Sequence, residues 1–176
     1  MSYTVHNGQP QGIANNNSNF LREALIGEIV AINDYSHHIA LCPINEVSKV
    51  LTHIMQEEKK HYGMFLELIR KNDDMQMEKY LDIMKNHHRR RSSQKKYRNT
   101  YEGEKIHMIN LLSFIRQDIK GELEAIISYE HILSKTVDKA IIKTLNDVIG
   151  DEKEHVEELT KILMKYDKDL YGPIEP

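Results

Sequence analysis

An internal repeat limits what this chain can fold into more than any other feature. Shifted by 94 residues (Glu28 to Glu122), the stretch from Gly27 to His61 falls on the stretch from Gly121 to His155 without a gap. Gly27-Glu28 meets Gly121-Glu122, Ala31-Ile32 meets Ala125-Ile126, Tyr35 meets Tyr129, and His37 meets His131. Further along, Lys49 meets Lys143, Leu51 meets Leu145, Glu58-Lys59 meets Glu152-Lys153, and His61 meets His155. A single match of this kind is chance. A gapless set running through two periodic segments predicts two similar helical hairpins related by a pseudo-twofold axis.

The segments themselves read as helices. The first spans about residues 19 to 41, with Ser18 or Asn19 as N-cap, and stops before Pro43, which cannot continue a helix. The second spans 45 to 71, and a shorter helical stretch, 75 to 85, follows it. The third spans 104 to 134 and the fourth 138 to 166, with Gly172-Pro173 marking an irregular tail. The expected fold class is all-α, an antiparallel four-helix bundle of two hairpins. Its expected organisation is a flexible N-terminal arm (1–18), the bundle (19–166) with a long crossover (72–103), and a C-terminal tail (167–176).

Each helix carries one apolar stripe at three- and four-residue steps. Helix two gives Val47, Leu51, Ile54, Glu58, His61, Phe65 and Leu68, and helix four gives Ile141, Leu145, Val148, Glu152, His155, Leu159 and Ile162. The other two give Leu21, Leu25, Glu28, Ile32, Tyr35 and Ile115, Ile119, Glu122, Ile126, Tyr129. Every stripe is thus interrupted at mid-helix by a glutamate, and on two helices by a histidine three residues later. A buried unpaired carboxylate costs several kcal/mol, and four at one level repel one another. Two divalent cations remove both problems, because they balance the charges of Glu28, Glu58, Glu122 and Glu152. Positions i and i+3 share a helical face, so Glu58/His61 and Glu152/His155 converge on the same point. One Glu-x-x-His means little; two at matching registers, each paired with a seam glutamate, predict a two-metal site.

The same residues resemble the rubrerythrin-like branch of the ferritin-like di-iron carboxylate superfamily. The resemblance rests on Gly27-Glu28…Tyr35, Glu58-x-x-His61, Gly121-Glu122…Tyr129 and Glu152-x-x-His155, and covers about residues 19 to 166. It implies a ferritin-like bundle with a non-haem di-iron centre that reacts with hydrogen peroxide or dioxygen, in a protein that forms a homodimer. By the same analogy Glu58 and Glu152 bridge the metals, while Glu28 and Glu122 are terminal ligands. The chain departs from rubrerythrins in two respects. Its one cysteine, Cys42, leaves no rubredoxin-like iron site, and Ala125 stands where those proteins carry an additional glutamate. A symmetric set of six protein ligands fits the sequence better than the full rubrerythrin arrangement.

Other residues receive plainer readings. Tyr35 and Tyr129, one heptad past Glu28 and Glu122, are expected to hydrogen-bond a ligand carboxylate of the opposite hairpin. His37 and His131 face elsewhere, while His53, His87, His88 and His107 read as surface or linker residues. Asp118, one turn before Glu122, is placed to approach the site from one side, but a solvated position is the expectation. The bundle itself is expected to keep water from the metals. Seven basic residues from Lys85 to Arg98 sit in a stretch without acidic ones; removing them from the total of 24 leaves 17 against 27 acidic, a net −10 for the remainder. That stretch reads as a solvated crossover, and nucleic-acid binding is not expected from it. No apolar run reaches the roughly 20 residues of a membrane span, and the polar N-terminus has no signal-peptide pattern, so a cytoplasmic location is expected.

The functional expectation is a di-iron redox protein served by an external electron-donor protein, since no rubredoxin, flavin or haem motif is present. Manganese is the alternative metal, with catalase-like chemistry, and zinc is an expected occupant of protein as isolated. Ferroxidase activity serving iron storage or sequestration is the other functional reading.

Overall fold

The structure is a computed structural model that describes residues 16–87, 108–168 and 171. It contains five helices: α1 (Asn17–Leu41), α2 (Asn45–Asn72), α3 (Asp74–His87), α4 (Met108–Leu133) and α5 (Lys139–Tyr166). Four of them form the expected bundle. α1 packs on α2 and α4 on α5 as two hairpins, and the hairpins join through α1 against α4 and α2 against α5. The pairings Glu28 with Tyr129 and Tyr35 with Glu122 show that α1 and α4 run antiparallel. α2 and α5 do the same, because His61 meets Asp151 and His155 meets Glu57.

Local signals set the helix ends. α1 is capped by Asn16, whose side chain accepts from the Asn19 amide at 2.9 Å, so the helix starts two or three residues earlier than a cap at Ser18 or Asn19 would place it. Ser18 is used otherwise: its hydroxyl donates to the Asn72 carbonyl at 3.0 Å and ties the start of α1 to the end of α2. Pro43 follows the end of α1 as expected, and Asp138 caps α5 by accepting from the amides of Ala140 and Ile141. Asp73 closes α2 and opens α3, accepting from the Gln76 amide while also pairing with Arg22 of α1. The structure begins α4 at Met108; the expected start near Glu104, the N-terminal arm and most of the basic crossover lie outside the described residues.

The interior is layered. One apolar cluster gathers Leu21, Phe65, Ile132, Ile141, Leu145 and Val148 around Tyr129. The second gathers Val47, Leu51, Ile54, Leu111, Ile115 and Leu159 around Tyr35. Between them lies a polar layer of Glu28, Glu58, His61, Glu122, Glu152 and His155, none more than 3% exposed. The hydrophobic stripes therefore hold the bundle from both ends, and the costly residues are confined to its waist.

Candidate metal centre

All six residues singled out by the repeat converge. Glu28 comes from α1, Glu58 and His61 from α2, Glu122 from α4, and Glu152 and His155 from α5. They form two four-residue groups whose ligand-capable atoms lie within 4.8 Å of one another: Glu28, Glu58, His61, Glu152, and Glu58, Glu122, Glu152, His155. Glu58 and Glu152 belong to both groups. Glu28 and Glu122 each belong to one.

Both imidazoles turn Nδ1 inward. His61 Nδ1 stands 3.3 Å from Glu152, 3.7 Å from Glu58 and 3.8 Å from Glu28. His155 Nδ1 stands 3.0 Å from Glu152, 3.2 Å from Glu58 and 3.8 Å from Glu122. Despite this crowding, Glu28 Oε2, Glu58 Oε1, His61 Nδ1 and Glu152 Oε1 are buried without a hydrogen bond. Buried polar atoms in that condition are costly unless something else satisfies them. Lone pairs converging from four carboxylates and two imidazoles suit two divalent cations that accept mixed oxygen and nitrogen ligands, a class that includes iron and manganese.

The tyrosines behave as their spacing predicts. Tyr35 of α1 donates to Glu122 of the opposite hairpin, and Tyr129 of α4 donates to Glu28. At Glu28 the hydroxyl takes Oε1 and leaves Oε2 facing His61, whereas at Glu122 the oxygen that Tyr35 holds is also the one 3.8 Å from His155 Nδ1.

One supporting pair escaped the sequence reading. His61 Nε2 lies 3.1 Å from Asp151, and His155 Nε2 lies 3.1 Å from Glu57. Glu57 and Asp151 are themselves repeat mates, each the residue just before a shared glutamate, so an acidic pair at the same 94-residue offset was the available signal. A carboxylate on Nε2 holds that nitrogen protonated and leaves Nδ1 free to act as a ligand. Replacing Glu57 and Asp151 together with alanine should weaken metal binding by about 10–100-fold while the helix content stays unchanged. Competition titration against a chelator, beside a circular dichroism spectrum, measures both.

Without metal, protons hold the layer together. Burial, with the neighbouring Glu58 and Glu152, raises Glu28 well above the ordinary carboxyl range. Burial likewise brings Glu122 up to about 8. Glu58 behaves oppositely: burial pushes it up, but the His155 and His61 imidazoles and the Glu28 carboxyl facing it outweigh that and bring it down to about 2. Burial pushes His61 down, yet Glu152 and Glu58 overcome this and raise it to about 11; Glu122, Glu152 and Glu58 raise His155 in the same manner.

Water is not kept out on every side. A cavity of about 430 Å³ opens between α1 and α4 and reaches Glu28, Glu58 and Glu122. Gly27, Ala31, Gly121 and Ala125 line it, repeat mates whose small side chains help leave the space. Asp118 also lines it and corrects the expectation of a solvated position: it is 5% exposed and pairs with buried His38 at 2.8 Å. His53 is exposed, as expected, and His37 is exposed too, while His131, exposed as well, lines the cavity rather than facing elsewhere. Cys42 is half-buried, and burial raises its thiol. The His87 side chain, His88, His107 and the Arg89–Arg98 stretch lie outside the described residues.

Residues 12–86, which include α1, α2 and nearly all of α3, match the model of the EncFtn-like family. A solved structure from Anabaena variabilis, a two-domain protein with DJ-1/ThiJ/PfpI-like and ferritin-like domains, is similar with a TM-score of 0.59 at 11% identity. The similarity covers 90% of this chain and 39% of that one, and at such low identity it is a likeness of fold. No protein with a curated description matches the sequence. Together with the helix arrangement, these likenesses identify the fold as ferritin-like. Among the described residues, no helix is long and apolar enough to cross a membrane.

Proposed function

We propose that this ferritin-like bundle is a di-iron carboxylate redox protein whose centre reacts with hydrogen peroxide or dioxygen. The observation that carries the reading is the pair of four-residue groups sharing Glu58 and Glu152 at the waist of the bundle. Glu28 and His61 complete one metal position, and Glu122 and His155 complete the other. Two Fe(II) ions there would supply the two electrons that peroxide, or dioxygen in its first two-electron step, takes up. The protein's contribution is to bind and orient. Tyr35 and Tyr129 hold the terminal carboxylates, Glu57 and Asp151 hold the imidazoles, and the cavity between α1 and α4 admits the oxidant.

The rubrerythrin-like assignment rests on the Gly-Glu…Tyr and Glu-x-x-His spacings, and a peroxide-reducing role follows that resemblance. The reductant is then an external electron-donor protein, and the working unit a homodimer in the cytoplasm.

Anaerobic addition of Fe(II) should load two ions per chain, and separate additions of peroxide and dioxygen should each be followed by absorbance of the ferric product. Peroxide oxidising the loaded protein faster than dioxygen supports the peroxide-reducing form of the reading. Oxidation by neither, in a protein carrying two irons, would end it.

A further inference from the structure

The polar residues of the waist come in repeat-related pairs: Glu28 with Glu122, Tyr35 with Tyr129, Glu57 with Asp151, Glu58 with Glu152, His61 with His155. One buried polar contact breaks that rule. His38 Nδ1 meets Asp118 Oδ1 at 2.8 Å, with both side chains at most 3% exposed. Their mates at the 94-residue offset are Ile132 and Ala24, which are apolar and each 1% exposed. The second hairpin therefore fills the equivalent positions with hydrocarbon. Burying a polar pair where an apolar one serves is neutral at best for stability and often costly. Folding alone does not account for His38 and Asp118.

Their position suggests what does. The His38 ring stacks on Phe114 with centroids 4.2 Å apart and planes 14° from parallel, which fixes its orientation. Asp118 Oδ1 is occupied by His38, but its Oδ2 is buried without a hydrogen bond. Asp118 lines the same cavity as Tyr35, Glu58 and Glu122. It lies one turn before Glu122 on α4, while Ala24 lies one turn before Glu28 on α1. The titratable groups around Asp118 from α1 are His38, Asp34 and Tyr35, and from its own helix Lys120, Glu122 and Glu124 line the same cavity. Burial raises the Asp118 carboxyl and nearby Asp34 adds to this, against the pull of His38, which favours a carboxyl able to hold a proton.

We propose that Asp118, positioned by His38, is a one-sided proton donor to the molecule reduced in the cavity, serving the Glu122 side of the centre and not the Glu28 side. This inference rests on the redox reading above. Two-electron reduction of hydrogen peroxide breaks the O–O bond and takes up two protons to release two waters, the electrons coming from two Fe(II) that become Fe(III). Asp118 Oδ2 gives one of those protons and regains it from solvent through the cavity mouth; the second comes from solvent directly. His38 is a positioning residue that holds the carboxyl with Oδ2 toward the cavity.

The test uses the full chain loaded anaerobically with Fe(II) and mixed with peroxide in a stopped-flow instrument. Asp118→Ala should still bind two irons but react at least about 10-fold more slowly, since a positioned acid contributes about 10²–10⁴-fold. Sodium formate, small enough for the vacated space, should restore much of the rate in a saturable manner. The double variant His38→Ile with Asp118→Ala copies the pair found in the other hairpin. It should fold, melt no lower than the parent, and show the same slow reaction. A rate within twofold of the parent, or a slow rate that formate does not restore, would overturn the proposal. Should either variant fail to fold, isosteric Asp118→Asn decides: a slow reaction at full iron loading supports the proposal, and a parental rate overturns it. A parent that binds two irons and reacts with no oxidant defeats the redox reading instead, so the two failures are distinguishable.

Discussion

Replacing Glu58 with alanine should empty both metal positions at once, whereas replacing Glu28 should empty only one. The difference follows from membership. Glu58 supplies a ligand atom to both four-residue groups, while Glu28 supplies one to the group containing His61. Removing a shared charged ligand should lower affinity at both positions by more than about 100-fold, beyond the range produced by losing an outer partner. Iron counted after desalting should then drop from two per chain to none for Glu58→Ala, and from two to one for Glu28→Ala. The same variants separate in the metal-free protein. Glu58 is the carboxylate that His61 and His155 hold ionised, so its removal breaks a buried ion pair and should cost roughly 3–5 kcal/mol. Glu28 is a carboxyl whose charged form is disfavoured by burial and by the nearby Glu58 and Glu152, and its removal should leave the metal-free melting temperature unchanged or raised. Metal-free Glu28→Ala melting far below Glu58→Ala would contradict this division of labour.

How far such roles can be read from sequence depends on whether the repeat carries them. The six candidate ligands were legible because each interrupts an apolar stripe and each has a mate 94 residues away. The cross-hairpin tyrosines were legible for the same reason, with one heptad of spacing added. Glu57 and Asp151 obey the same symmetry, but they stand beside the stripe on helices rich in surface acids. Only the inward turn of Nδ1, which leaves Nε2 facing outward, gives them a role. Asp118 and His38 were hidden by the opposite circumstance. Their mates are Ala24 and Ile132, so the repeat gives no hint of a polar contact, and they are 80 residues apart on different helices. The cap of α1 shifted to Asn16 because several residues there are competent N-caps, and Ser18 is engaged by the end of α2. Symmetry encoded in sequence was thus readable, and departures from symmetry required the packed bundle.

Metal should reverse the pH dependence of stability, and the sign follows from the direction of each shift. In the metal-free chain Glu122 is raised from 4.5 to about 8, so the folded state keeps a proton that the unfolded state releases, and stability falls as pH rises through that window. His61 is raised from 6.5 to about 11; its contribution is complete below about 6.5 and is lost as pH climbs toward 11. Glu58 is lowered from 4.5 to about 2, so its contribution is present above 4.5 and disappears as pH falls toward 2. The metal-free protein should therefore be most stable near pH 4.5 and should lose melting temperature steadily from there up to pH 9. Metal ions need neutral imidazoles and ionised carboxylates, so they displace the protons on His61, His155, Glu28 and Glu122. Loading at neutral pH should release protons, read with an indicator dye in weak buffer. Each released proton makes binding stronger as pH rises. The gain in melting temperature on adding metal should be larger at pH 9 than at pH 6, opposing the metal-free trend. A metal-free melting temperature that rises from pH 6 to 9 would show that protons do not hold the waist together, and that its carboxylates are stabilised by something other than the imidazoles facing them.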